Sequence, residues 1–173
     1  FLQILSFKNN VAILQADSDI LRQEAKRGEN PYMAYAYARL HDVLQLEENS
    51  DGIKEMYYTI AANHGIGDAY ACLAYMYRDG DLGEQDMESY ENLMQKARQR
   101  RSEKAIQQSI RDLIYGNNGA EANPSEAYEL AENYLKELDF PNPAYYQLMA
   151  EADGKLGRKG NAICNFESAA KNG

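Results

Sequence analysis

Few side chains in this sequence are equipped for chemistry. His41 and His64 are the only histidines, and Cys72 and Cys164 the only cysteines. Neither histidine opens a His-x-x-x-His or His-Glu-x-x-His pattern, which would set metal-binding imidazoles on one helix face. Cys72 follows His64 after one short link, so a thiolate–imidazole pair is conceivable. No third group is placed to orient it. No Gly-x-Ser-x-Gly elbow and no phosphate-cradling glycine loop occurs. The cysteines match no Cys-x-x-Cys spacing and form no disulfide framework; one long-range bridge stays open beside the reading of two free thiols. Asp79 and Asp81 start an alternating acidic pattern, but Gly83 stands where the third ligand of a calcium loop belongs. Asp86 is expected to cap the helix that follows. His41 is expected to cap or decorate a helix face. His64 is expected near a helix C-terminus, where positive charge complements the dipole. The residues point to no catalytic site, no cofactor and no metal, and the chain reads as non-catalytic.

Charge narrows the partners. Lys plus Arg is 18, Asp plus Glu is 27, and the net charge is −9. Such a chain repels polyphosphate and anionic membrane surfaces, so nucleic acid is not an expected partner. No stretch approaches the roughly 18 apolar residues of a membrane helix, so no insertion is expected from this segment. Residues 96–104 form a basic island, which reads as a solvated helix end or as a dock for an acidic partner. Tyr is abundant at 14, against four Phe and no Trp. A Tyr ring can bury while its hydroxyl stays wet.

These residues must be positioned by helices. Apolar residues recur at three and four positions, as in Ile53, Tyr57, Ile60, Ala61 and in Ala69, Leu73, Met76, Tyr77. Gly-, Asn- and Pro-containing breaks separate the runs, among them those around Gly28, Gly65, Gly80, Gly116 and Pro141. The breaks are regular. Tyr32, Ala69, Ala105 and Ala144 open four similar helices, 37, 36 and 39 residues apart. Ala36, Leu73, Ser109 and Leu148 follow in register, then Leu40, Tyr77, Leu113 and Ala152. Small residues close the second helices at Ala61–Ala62, Ala97 and Ala169–Ala170. The reading is four helical hairpins over residues 31–66, 67–103, 104–141 and 142–173. Residues 1–30 carry the end of an earlier unit, with a helix from about residue 11 to 26. A chain starting at Phe1 in mid-unit reads as a piece of a longer array, because single hairpins cannot bury their apolar faces alone.

Residues 61–97 resemble a Sel1-like repeat, a relative of the tetratricopeptide repeat. Ala61, Ala62 and Gly65 fit its opening. Ala69, Leu73 and Tyr77 fit its first helix, and Gly80 and Asp86 its turn. Residues 161–173 resemble its second helix. The resemblance implies an all-α right-handed superhelical solenoid, no catalysis, and a scaffold that binds a protein or peptide partner. Many such proteins serve secretory, periplasmic or host-interaction roles. In these arrays the first helix of each hairpin lines the concave face. Tyr77 then falls on a packing position, while Tyr35, Tyr70, Tyr75 and Tyr145 fall where the family carries variable residues. Met33, Gln108, Arg111 and Gln147 would extend the same surface. The expected partner-binding residues are therefore Tyr35, Tyr70, Tyr75, Arg111 and Tyr145. The rival is a structural spacer or assembly subunit of a periplasmic or outer-membrane-associated complex.

Overall fold

The computed structural model describes residues 18–44 and 50–173. The N-terminal part of the expected first helix lies outside the described residues. Among the described residues nine stretches are helical and none is a strand. They are α1 (18–27), α2 (Pro31–Leu44), α3 (Ser50–Asn63), α4 (Gly67–Asp79), α5 (Met87–Gln99), α6 (Glu103–Tyr115), α7 (Pro124–Glu137), α8 (Pro143–Lys155) and α9 (Lys159–Asn172). The fold is all-α, and each of α2–α5 and α6–α9 packs on its neighbours in the chain. The chain divides into two compact units, Phe1–Ser102 and Glu103–Gly173.

Local signals set the helix ends. Asn-Pro opens α2, α7 and α8. Pro supplies a preset φ at the first helical position, and the Asn side chain accepts an orphan backbone N–H. The acceptors are Asn30 for Tyr32, Asn123 for Glu126 and Asn142 for Ala144. Asp86 caps α5 as the sequence leads one to expect, accepting from the Ser89 N–H at 3.0 Å. The Ala-Ala-x-x-Gly signature is a helix stop. Gly65 at φ 93° lets its own N–H reach the Ala62 carbonyl and the Ile66 N–H reach the Ala61 carbonyl. This double closure is the Schellman arrangement. It recurs 36 residues later, where the Ser102 N–H reaches the Ala97 carbonyl and Arg101 takes the left-handed conformation at φ 54°.

Within the first unit, α2, α3 and α4 close a core of Ala34, Tyr37, Ala38, Tyr57, Tyr58, Ala61, Leu73 and Met76. Tyr37 sits edge-on to both Tyr57 and His41 at 4.9 Å between ring centres. His41 is 0% exposed, so it belongs to this aromatic core and does not decorate a helix surface. Its Nδ1 lies 3.3 Å from Ser50 Oγ. Within the second unit, Ile106, Ile110, Ile114, Ala127, Ala131, Leu148 and Met149 form the core around Tyr145.

The buried stripes correct the expected register. In α4 they fall at Ala69, Cys72, Leu73 and Met76; in α2 at Ala34, Tyr37, Ala38 and His41; in α8 at Tyr145, Leu148, Met149 and Ala152. The inward face of α2 therefore starts at Ala34, and Tyr32 is 66% exposed. A two-residue offset turns a helix by about 200°, so the two alignments put different faces inward. Packing chooses between them. Ala34 and Ala38 let α3 approach closely, and the rings of Tyr37 and His41 fill the remaining space. In α6 the shift is one residue: Ile106, Ile110 and Ile114 lie inside beside the expected Ala105, with Ser109 and Leu113 half-buried. Ala170 is exposed, while Ala169 is buried as expected.

Candidate functional site

The residues expected to share one binding surface do not share one. Tyr145 is 1% exposed and stacks on Tyr134 with ring centres 6.2 Å apart. It occupies the first core position of α8, a one-residue shift from the sequence alignment, and is a packing residue. Its neighbour Tyr146 takes the half-buried position one residue on, as Tyr35 and Tyr70 do in their helices. Arg111 is half-buried on α6, close enough to influence the Tyr115 phenol. Gln108 is engaged by Asp112 at 2.8 Å, and Gln147 is exposed on α8.

In the first unit the three tyrosines separate. Tyr35 and Met33 are half-buried and pack against the core. The Tyr35 ring meets Tyr58 at 5.9 Å, and burial pushes the Tyr35 phenol above its ordinary range, with Cys72 and Asp68 adding to the shift. Tyr58 donates to Asp42 Oδ2 at 2.5 Å, and Arg39 pairs with the same oxygen at 2.8 Å. Tyr75 lies under the Arg78 guanidinium at 4.8 Å. Tyr70 and Tyr75 are five residues apart, so they project about 140° apart around α4.

Tyr70 instead joins a different set of residues. A cleft of 330 Å³ runs along α4, with Tyr70, Leu73 and Tyr77 as its floor. These lie at positions i, i+3 and i+7, one stripe of the helix. One wall comes from α3 through Thr59, Ala62 and Asn63. The other comes from α5 through Ser89, Asn92, Leu93 and Lys96. Tyr77 is thus half-buried at a cleft and not in the core. The reason lies in α5, which offers the small polar Ser89 and Asn92 at that level, where a large apolar residue would have closed the gap.

The cleft has direction. Tight turns make α3 and α5 antiparallel to α4. Asn63 and Lys96 therefore stand at the Tyr70 end. The Ser102 hydroxyl, just beyond α5, donates to Asp68 at 2.6 Å and pins that end together. Arg100 packs over the glycines of the same corner, 3.0 Å from where a Cβ on Gly67 would sit. At the other end the Asp86 N–H reaches the Tyr77 carbonyl at 3.0 Å, next to Ser89.

Apart from Ser89, whose hydroxyl donates to Asp86, the polar side chains of this cleft are uncommitted. Among the described residues, the side chains of Thr59, Asn63, Asn92 and Lys96 and the phenols of Tyr70 and Tyr77 have no protein partner. Polar groups that face solvent in this way can exchange water for the polar groups of a ligand. Leu73, Leu93 and Ala62 supply the apolar strip between them. The chemistry on offer is hydrogen bonding with one positive charge. Of the remaining candidates, Asp79 pairs with Arg78 at 2.7 Å, and Asp81 lies 3.7 Å from Lys54. Cys72 is buried and Cys164 exposed, both as free thiols, and His64 is exposed just past the end of α3. Of the basic island, Arg98 lies 3.9 Å from Glu91, and Lys96 alone lines the cleft.

The cleft was partly legible. Tyr70 and Lys96 are noticeable in the sequence for their type and charge. Thr59 with Asn63, and Ser89 with Asn92 and Lys96, are polar pairs and triplets at helical spacing that could have marked two facing walls. Nothing in their spacing says that the walls face each other.

The chain matches no protein-family model, and no curated protein matches it in sequence. The resemblance to Sel1-like repeats therefore rests on its motif residues. No helix among the described residues is long and apolar enough to cross a membrane.

Proposed function

We propose that this chain is a non-catalytic binding module of the Sel1-like type, a solenoid scaffold that holds an extended peptide segment of a partner protein. The supporting observation is the α3–α4–α5 cleft, whose free polar side chains flank an apolar floor. Pockets of a few hundred Å³ with a few placed polar groups are the usual form of a ligand site. The floor from Tyr70 to Tyr77 spans about 10 Å at 1.5 Å per residue. About three residues of extended chain fit that length. The solenoid part of the reading draws on the neighbour-to-neighbour packing of the hairpins within each unit.

A phage-displayed library of random linear peptides tests it. Peptides enriched on the wild-type chain should lose binding when the rim is blocked by Thr59→Arg or Asn92→Arg. They should keep binding to Tyr75→Ala, which alters the opposite face of α4. Both rim positions are exposed, so the helical melt should stay intact. Enrichment insensitive to both rim variants would refute the cleft.

One observation favours the rival assembly role. Ile163 and Phe166 on α9 are 60% and 50% exposed, one helical turn apart and flanking the stripe of buried Ala162 and Ala169. Sedimentation equilibrium separates the two, since an assembly subunit of this kind should self-associate and Phe166→Ser should reverse it.

A further inference from the structure

We infer, resting on the peptide-cleft reading, that the occupant is an extended segment carrying an internal Asp or Glu side chain, seated at the Lys96 end. Three observations carry this. The cleft lining holds one cation and no anion, in a chain whose net charge is −9. The Lys96 ammonium forms no ion pair among the described residues, although acidic residues outnumber basic ones. The neighbours of Lys96 at that end, Asn63 and Tyr70, are neutral groups able to donate hydrogen bonds, and neither offers a competing charge.

Placement strengthens the argument. Lys96 stands in the last turn of α5, where backbone carbonyls favour positive charge. The helix end suits a cation at this position and leaves its three donors to an incoming group. A carboxylate there could accept from Lys96 and from the Asn63 amide or the Tyr70 phenol. Charge-assisted bonds of this kind are roughly twice as strong as neutral ones. The rest of the segment would run toward Tyr77, its apolar side on Leu73 and Leu93 and its backbone amides within reach of Asn92 and Thr59. A free C-terminal carboxylate is the less suited source. Its usual capture uses a nest of backbone N–H groups, and the cleft lining is made of side chains without a glycine turn. Polyanions such as nucleic acid are disfavoured by the charge of the whole chain.

The test uses pools of N-acetylated, C-amidated hexapeptides, each with one position fixed as Glu, Gln or Lys and the rest mixed. Binding is read by fluorescence polarisation on the wild type, Lys96→Gln, Lys96→Glu and Asn92→Arg. We expect a Glu pool to bind about tenfold tighter than its Gln counterpart, as one charge-assisted contact allows. The preference should vanish on Lys96→Gln, and Lys pools should overtake on Lys96→Glu. It should also weaken several-fold in high salt, because Lys96 is exposed. Glu and Gln pools that bind equally and lose binding on Asn92→Arg would overturn the acidic preference and leave the cleft standing. A preference unchanged on Lys96→Gln would overturn it, as would one that appears only when the same pools are made with a free C-terminal carboxylate and is absent from the amidated ones. Failure of every pool to bind would overturn this inference and the peptide reading together.

Discussion

Tyr58→Phe isolates one polar contact in the first unit and gives it a measurable size. The phenol is buried in the core and donates to Asp42 Oδ2 at 2.5 Å. A hydrogen bond to a charged group has a net worth of about 1.5–3 kcal/mol. Asp42 keeps Arg39 at 2.8 Å, and its side chain is 28% exposed, so the variant leaves no orphaned charge. The loss should sit at the lower end, about 1.5 kcal/mol. For a chain of this length that lowers Tm by about 3–6 °C. The pH dependence supplies a second number. Burial pushes the Tyr58 phenol far above its ordinary value of 10.0, with Cys72 next and the bond to Asp42 adding to it. A raised folded-state pKa means the contribution is fully present below pH 10.0 and lost as pH rises, because only the unfolded chain releases the proton. Each pH unit above that value should remove about 1.4 kcal/mol from the wild type through this group, and nothing from the variant. The advantage of about 1.5 kcal/mol is then erased about one pH unit above the ordinary phenol value, and the two stability curves should cross there. Tyr35 is present in both proteins and cancels. Urea unfolding followed by circular dichroism at neutral pH and at steps through the alkaline range reads both effects. Equal midpoints at neutral pH, or a gap that stays constant into alkali, would refute the reasoning.

Three further outcomes are expected. Asp86 accepts from the hydroxyl and the N–H of Ser89, which hold its carboxyl below the ordinary 3.8. Its support of α5 should therefore be present above that value and fade as pH falls through the lowered one. Amide exchange in the first turn of α5 should quicken in acid, and Asp86→Asn should flatten that dependence; an identical acid limb in both would count against the cap. Arg101→Gly should stabilise the first unit by about 0.5 kcal/mol, because glycine removes left-handed strain of about 1–2 kcal/mol and returns part of it as chain entropy. A lower urea midpoint would mean that the arginine side chain contributes more than its backbone costs. Asn165→Ala should destabilise the second unit by about 2 kcal/mol. Asp153 is fully buried, accepts from Asn165 at 3.0 Å, and would keep only Arg158, 3.7 Å from its other oxygen. Adding Asp153→Leu should recover part of the loss, since both polar groups are then gone; thermal melts of the single and double variants decide it.

Helices and their ends were largely written in local chemistry. Asn-Pro pairs, the Asp86 cap and the Ala-Ala-x-x-Gly stop act over four or five residues, so sequence alone locates them. Helical spacing likewise announced Ala69, Leu73, Leu148 and Ala152 as core. Rotational register was less legible. Tyr145 and His41 carry polar atoms that a sequence reading sends outward, yet neighbouring rings and small alanines bury both. An amphipathic ring fits either side of a helix, and only the shape of the facing helix selects one.

By itself, then, the sequence determined an all-helical chain with regular helix breaks and a net negative charge, because periodicity, caps and charge are properties of short segments. The cleft was decided by tertiary structure. Thr59, Tyr70 and Lys96 come from three helices, and their meeting depends on how close α3 and α5 approach across α4. That distance is set by the sizes of side chains remote from one another in the chain. Tyr70 lines the cleft and Tyr145 the core for the same reason: identical side chains acquire different surroundings from what packs against them.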